Sequence, residues 1–306
     1  LTKSADLSKN IANYFENTGP KNTESKNTDP YTLDQFYTNP DIAKACYDTL
    51  NNQIDIDTYD IILEPSAGKG AFYDLIEPLK RKGIDLDPKH PEVTKMDYFD
   101  YVPQKNKRYL VVGNPPFGIQ SAIAIKFMNK SCEFADCVAF IIPRTFKRVS
   151  IQNRLSMGFK LMYCKDLPLK PCCFTPRMGA KCCFQIWVRI TEGEPCRTRS
   201  VLAKTHSDFT FLRLGKPDDT KQPTPPVGAD FAMRAYGSNC GVLQIDNLET
   251  LRPKSWHWIK SNIDVELLKK KFNSLDYSIS KDTVRQDSIG QQELIRLYES
   301  STFKHV

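Results

Sequence analysis

Asn114-Pro115-Pro116-Phe117-Gly118 follows the apolar run Tyr109-Leu110-Val111-Val112. The run predicts a buried strand, so the turn stands where that strand ends. In a parallel α/β sheet, ligands bind at the carboxyl ends of strands. Two successive prolines have a fixed φ and no N–H to donate. Their carbonyls and the Asn114 side-chain oxygen are left as acceptors, and Phe117 adds a flat apolar face. Acceptors beside a ring suit a planar group that carries an NH2. Taken alone, the tetrapeptide also reads as a strand closed by a tight proline turn. The rest of the chain decides between the two.

Upstream, Tyr59-Asp60-Ile61-Ile62-Leu63 predicts a strand, and Glu64-Pro65-Ser66-Ala67-Gly68-Lys69-Gly70 follows it. Residues 71–76 then predict a helix. Strand, glycine-rich turn and helix cradle nucleotide-like cofactors, because Gly68 and Gly70 let the backbone turn sharply without a Cβ in the way. N–H groups at the helix start can meet a carboxylate, and Glu64 offers a negative charge to an ammonium. The third glycine of the dinucleotide fingerprint is missing, as is the Gly-Lys-Ser/Thr of a P-loop. Further upstream, Phe36-Tyr37-Thr38-Asn39-Pro40 predicts a capped helix over 41–50, with Ile42, Ala45, Cys46 and Leu50 on one face.

Downstream, Gly83-Ile84-Asp85-Leu86-Asp87 ends a second strand. An acid about 20 residues past a glycine-rich turn is placed for a ribose diol; Asp85 is the first choice and Asp87 the second. Met96-Asp97-Tyr98-Phe99 ends a third strand. A helix over 119–133, with Ile123, Phe127 and Met128 inward, precedes the buried strand Cys137-Val138-Ala139-Phe140-Ile141-Ile142-Pro143. Residues 160–169 give a further strand or turn, 172–180 a loop around Phe174, and 181–190 the last strand. Strands alternating with helices predict a parallel sheet.

These pieces, in this order, resemble the adenine-N6 methyltransferases that use S-adenosylmethionine (SAM), of the γ-type motif order. Asn114-Pro115-Pro116-Phe117 is similar to their motif IV, Glu64 to Gly70 to motif I, and Phe36-Tyr37-Thr38 to motif X. Phe117 stands where many members carry Tyr or Trp. The resemblance covers about residues 36–190 and implies a Rossmann-like class I α/β sheet with helices on both faces. It implies SAM as cofactor, held by Phe36, Tyr37, Thr38, Glu64, Pro65, Ser66, Gly68, Gly70, Asp85, Asp97, Tyr98 and Asn114. Asp85 would take the ribose and Asp97 the adenine amino group of SAM. Asn114 Oδ1 and the Pro115 carbonyl, at the Pro115-Pro116 turn, would accept the hydrogens of the target N6 while Phe117 stacks on the base.

Beyond Thr191 the character changes. Prolines cluster between short β-like pieces, and residues 237–241 predict a hairpin turn. Arg234-Ala235-Tyr236-Gly237 resembles a C-terminal segment of phage and giant-virus adenine methyltransferases, which implies target contact. Trp256 and Trp258 interleave with Arg252, Lys254 and Lys260. Aromatic and basic residues together suit stacking and phosphate contact, and equally a strand with a tryptophan in the core. Arg144, Lys147, Arg148 and Arg154 crowd the segment after the strand at 137–143, either as a solvated face or as phosphate contacts. Helices are expected over 264–275 and 290–299. The expected organisation is a polar N-terminal arm (1–30, with a short helix at 7–15), a SAM-binding catalytic domain (31–195) and a target-recognition region (196–306).

The chain's 306 residues can bury a full core. A formal net charge of +7 is compatible with a polyanionic partner, and nucleic acid is expected, DNA before RNA. No apolar run approaches a membrane span and no charged-then-apolar leader opens the sequence. Ten cysteines without metal-ligand spacing read as small core side chains in a reducing compartment, so an intracellular protein with no metal is expected. Three other readings share parts of the pattern: an RNA adenine methyltransferase, a protein-glutamine methyltransferase with the same Asn-Pro-Pro-aromatic turn, and a silent nucleic-acid-binding subunit.

Overall fold

The computed structural model describes residues 36–301, apart from 218 and 220. The predicted arm and its short helix lie outside the described residues.

The chain forms two compact units. Among the described residues, the first takes 36–142, then Gly158–Gly179 and Cys183–Cys196; the second takes Pro143–Met157, Ala180–Cys182 and 197–301. The first opens with β1 (Tyr37–Thr38) and α1 (Pro40–Gln53). Asn39 caps α1 by accepting the Asp41 N–H at 2.9 Å, and Pro40 fills its first turn. The buried face is Ala43, Cys46, Tyr47 and Leu50. That is one position round from the predicted stripe, and it puts the larger Tyr47 ring inward.

The next strands are β2 (Ile61–Pro65), β3 (Arg81–Asp85), β4 (Thr94–Lys95) and β5 (Tyr109–Gly113). The helix α2 (Ala122–Phe134) then leads to β6 (Cys137–Pro143), β7 (Phe159–Asp166), β8 (Phe174–Thr175) and β9 (Cys182–Arg189). Seven of these strands form one sheet in the order β4-β3-β2-β5-β6-β9-β7. Pairs from β4 through β6 are parallel, and β7 pairs antiparallel with β9. The strand order reverses beside β2, as in a doubly wound Rossmann-like sheet. β5 and β6 are buried along their whole length, which is why they read as unbroken apolar runs. The helix predicted over 71–76 is only a 3₁₀ turn, Tyr73–Leu75. Pro78 disfavours α geometry at Glu77, and the Glu64 carboxylate takes the Tyr73 N–H. β1 and β8 form a separate two-stranded ribbon pairing Thr38 with Phe174.

The second unit holds the antiparallel strands β10 (Phe209–Phe211), β11 (Phe231–Arg234), β12 (Leu243–Gln244) and β13 (Trp256–Ser261), in the order β10-β13-β11-β12. Two helices, α3 (Val265–Asn273) and α4 (Gln291–Ser300), supply Leu268, Phe272, Leu294, Ile295 and Tyr298 to a core with Phe209, Phe231, Met233 and Ile259. Three ion pairs tie the early segments into this unit: Lys147–Asp282 at 2.7 Å, Arg148–Glu293 at 3.0 Å, and Lys181–Asp287.

All ten cysteines are free thiols. Among the described residues no helix is long and apolar enough to cross a membrane, and no group of His, Cys, Asp and Glu could hold a metal ion.

Candidate active site

The first unit gathers its predicted residues at the carboxyl ends of β2, β3 and β5. β5 ends at Gly113, whose φ of +152° brings it against the stem of Glu64. Asn114 follows. Its Nδ2 donates to the Phe36 carbonyl at 3.1 Å, which fixes the plane of the amide. Its Oδ1 is buried and has no hydrogen-bond partner among the described residues. Leaving such an acceptor unpaired costs about 1–3 kcal/mol, and orphans of this kind call for an explanation. Ser66, at a positive φ of 56°, donates to the Asn114 carbonyl at 3.3 Å.

Pro115 is buried, and Pro116 and Phe117 are half-buried. The Phe117 ring meets Phe174 edge-on, with centroids 6.3 Å apart and planes at 85°. Phe174, read from the sequence only as part of a loop, is brought there by the pairing of β8 with β1. After Phe117 the backbone is strained: Gly118, Gln120 and Ser121 all have positive φ. Strain of this kind concentrates at functional sites.

The glycine turn folds onto Asp85. Its Oδ2 accepts the Gly68 N–H at 2.7 Å and its Oδ1 the Asp87 N–H at 2.8 Å. Each oxygen keeps a further lone pair. Tyr37 lies over the turn, where a Cβ on Gly68 would come within 2.9 Å of its ring. Lys69 Nζ stands 4.7 Å from the centre of the same ring. Burial raises the Tyr37 phenol pKa, Lys89 opposes that, and Asp85 and Asp87 add to it. Thr38 is buried beside it in β1. Gly70, at φ +83°, abuts His90. Phe36, Asn114, Ser66, Gly68 and Asp85 thus stand in one connected cluster.

Two residues serve otherwise than expected. Glu64 is 3% exposed and accepts the Tyr73 N–H at 2.7 Å. The charge reserved for a ligand ammonium and the turn N–H reserved for a ligand carboxylate meet each other instead. Burial raises the Glu64 pKa well above the glutamate range, against the pull of the Tyr73 and Phe72 N–H groups. Tyr98 is buried, bonds Ser131 at 2.7 Å and packs on Phe127, so it forms wall, not open face. Asp97 accepts the Phe99 N–H at 2.9 Å through Oδ1, while Oδ2 has no partner among the described residues.

In the second unit, the predicted phosphate contacts separate. Lys147 and Arg148 are spent on Asp282 and Glu293, and Arg148 also donates to the Ile279 and Ser288 carbonyls. Arg144 donates to the Cys182 carbonyl at 3.4 Å. Trp258 is 2% exposed and its indole N–H donates to Pro253, so it is a core residue with no face to offer. Trp256 lies two positions earlier on the same face but at the strand's first residue: it is half-buried and carries the Arg234 guanidinium 5.4 Å from its ring centre. Tyr236 is exposed.

No protein-family profile matches the sequence, and no curated protein matches it. Solved structures do. A putative RNA methyltransferase, PH1948 from Pyrococcus horikoshii, is 18% identical, with 62% of this chain and 100% of that chain covered and a TM-score of 0.40. The 23S rRNA methyltransferase ErmE is 16% identical over 52% of this chain and 70% of that one, with a TM-score of 0.36. A putative class I SAM-dependent methyltransferase from Listeria monocytogenes is 12% identical over 63% and 69%, with a TM-score of 0.42.

Proposed function

We propose that the chain transfers a methyl group from SAM to the N6 amino group of adenine in nucleic acid, with DNA the favoured substrate. The observation that carries the reading is the buried Asn114 Oδ1, without a partner among the described residues, beside the Pro115 carbonyl and the Phe117 ring. An amino group with two hydrogens satisfies both acceptors, and a flat base fills the space against Phe117.

The residues present fit SAM. Asp85 holds spare lone pairs for a ribose diol, Asp97 Oδ2 is available to an adenine amino group, and the Gly68 turn admits close approach under Tyr37. When bound, SAM supplies an electrophilic methyl on a sulfonium. Asn114 Oδ1 and the Pro115 carbonyl accept the N6 hydrogens and draw the nitrogen lone pair out of conjugation with the ring. The Phe36 carbonyl keeps the Asn114 amide from rotating, so the acceptor is aimed before substrate arrives. Phe117 holds the base plane. An adenine within a duplex must leave the stack to reach the turn.

The test is transfer of labelled methyl from SAM to DNA, RNA and glutamine-peptide substrates, with the product identified by mass spectrometry. N6-methyladenine is expected, and Asn114→Ala should lower its rate by about 10²-fold or more. Labelling of peptide glutamine alone would replace the proposal with glutamine methylation. SAM binding with no acceptor labelled would make the chain a silent subunit.

A further inference from the structure

The second unit contains a cavity of 560 Å³ on the β10 and β13 side of its sheet. Its rim carries Lys204, Arg213 and Lys254, and its floor includes Phe211, Trp256 and His257. No Asp or Glu lines it. The three rim cations are exposed and make no ion pair among the described residues. Some other cations of this unit are paired: Lys260 with Asp230, Lys269 with Glu266 and Lys271 with Asp208, besides the three noted above. The rim therefore presents three cations with no acid beside them. The aromatic floor is built rather than incidental. Phe211 and His257 meet across paired strands at a tilt of 59°, with centroids 5.3 Å apart, and His257 is fixed by a 2.8 Å bond to the Ile289 carbonyl. Burial lowers the His257 pKa, so its ring is held neutral. Arg234 backs the Trp256 ring.

We infer that this cavity holds an unpaired stretch of the nucleic-acid strand, with a base on Trp256 and its flanking phosphates on Arg213, Lys254 and Lys204. Cations over a stacking platform select a ligand that is both planar and polyanionic, which describes a single strand. The volume falls within roughly 300–1,000 Å³, the range of sites that enclose small ligands, and a duplex does not enter it. An acidic peptide would use the cations and leave the rings idle. The inference rests on the reading above for its choice of a nucleic-acid substrate, but it concerns binding and not transfer.

The experiment is fluorescence anisotropy with labelled DNA and RNA single strands of about 12 nucleotides, their hairpin duplexes, and polyglutamate as competitor, without SAM. Single strands should bind more tightly than duplex and resist polyglutamate. Trp256→Ala should weaken binding roughly 5- to 100-fold, with Trp256→Phe restoring most of it. Arg213→Ala and Lys254→Ala, both at exposed positions, should each lower the salt slope by about one. The DNA and RNA arms name the source of the strand. Duplex bound as tightly as single strand, displacement by polyglutamate at equal charge, or unchanged binding in all three alanine variants would each overturn the inference. Strand binding without methyl transfer would sink the proposed activity and leave this site standing. Methyl transfer with no strand held here would do the reverse.

Discussion

Asn114 and Glu64 show how far a single side chain is decided by its surroundings. Asn114 was legible as an acceptor because two prolines follow it. That its amide would be pinned by Phe36, 78 residues away in sequence, was not. Glu64 was legible as an acid at a strand end, yet burial gives it a structural task. Its folded pKa is raised above the unfolded value. The folded state therefore loses stability as pH rises through the ordinary glutamate range toward the folded pKa, because the unfolded chain ionises first. Glu64→Gln keeps an acceptor for the Tyr73 N–H and removes that penalty. Its Tm is expected to equal or exceed the wild-type value at neutral pH, with the gap shrinking on acidification; calorimetry between about pH 4 and pH 8 checks this. A neutral-pH Tm several degrees below wild type would mean that the charge itself supports the turn.

Elements differ in how well they announce themselves. β5 and β6 were readable because a strand covered on both faces needs an unbroken apolar run. The turn after the glycines was read as a helix, but it is only a 3₁₀ turn, with Pro78 disfavouring α geometry just beyond it. The basic segment after β6 had two readings, and distant partners chose between them. Arg148 and Glu293 are 11% and 12% exposed, so their pair is nearly dry. Removing one member of such a pair costs about 3–5 kcal/mol. Arg148→Ala is expected to lose about that much in urea unfolding while leaving the salt dependence of nucleic-acid binding intact. A reduced salt slope with unchanged stability would return Arg148 to the phosphate-contact role.

For the whole molecule, the second unit is discontinuous in sequence. Composition suggests a boundary near residue 195, where prolines and short strands begin. Pro143–Met157 and Ala180–Cys182 nevertheless cluster with the later chain. They contribute Lys147, Arg148 and Lys181, which neutralise Asp282, Glu293 and Asp287. A fragment beginning at Arg197 lacks all three cations. It is expected to be poorly folded, with little cooperative melting by circular dichroism, whereas the full chain melts cooperatively. A cooperative melt of the fragment near the full-chain Tm would show that the early segments are dispensable.

By itself the sequence determined the main strand segments along the chain, the position of the proline turn and the acids at the strand ends; their order in the sheet, and the antiparallel pairing of β7 with β9, came from the structure. These depend on local hydrophobic pattern and backbone chemistry, which are written within a few residues of each site. Tertiary structure alone decided which acceptor stays unpaired, which cations are spent on carboxylates and which tryptophan keeps a free face. Those outcomes turn on burial and on partners tens to more than a hundred residues away, and no local pattern encodes them.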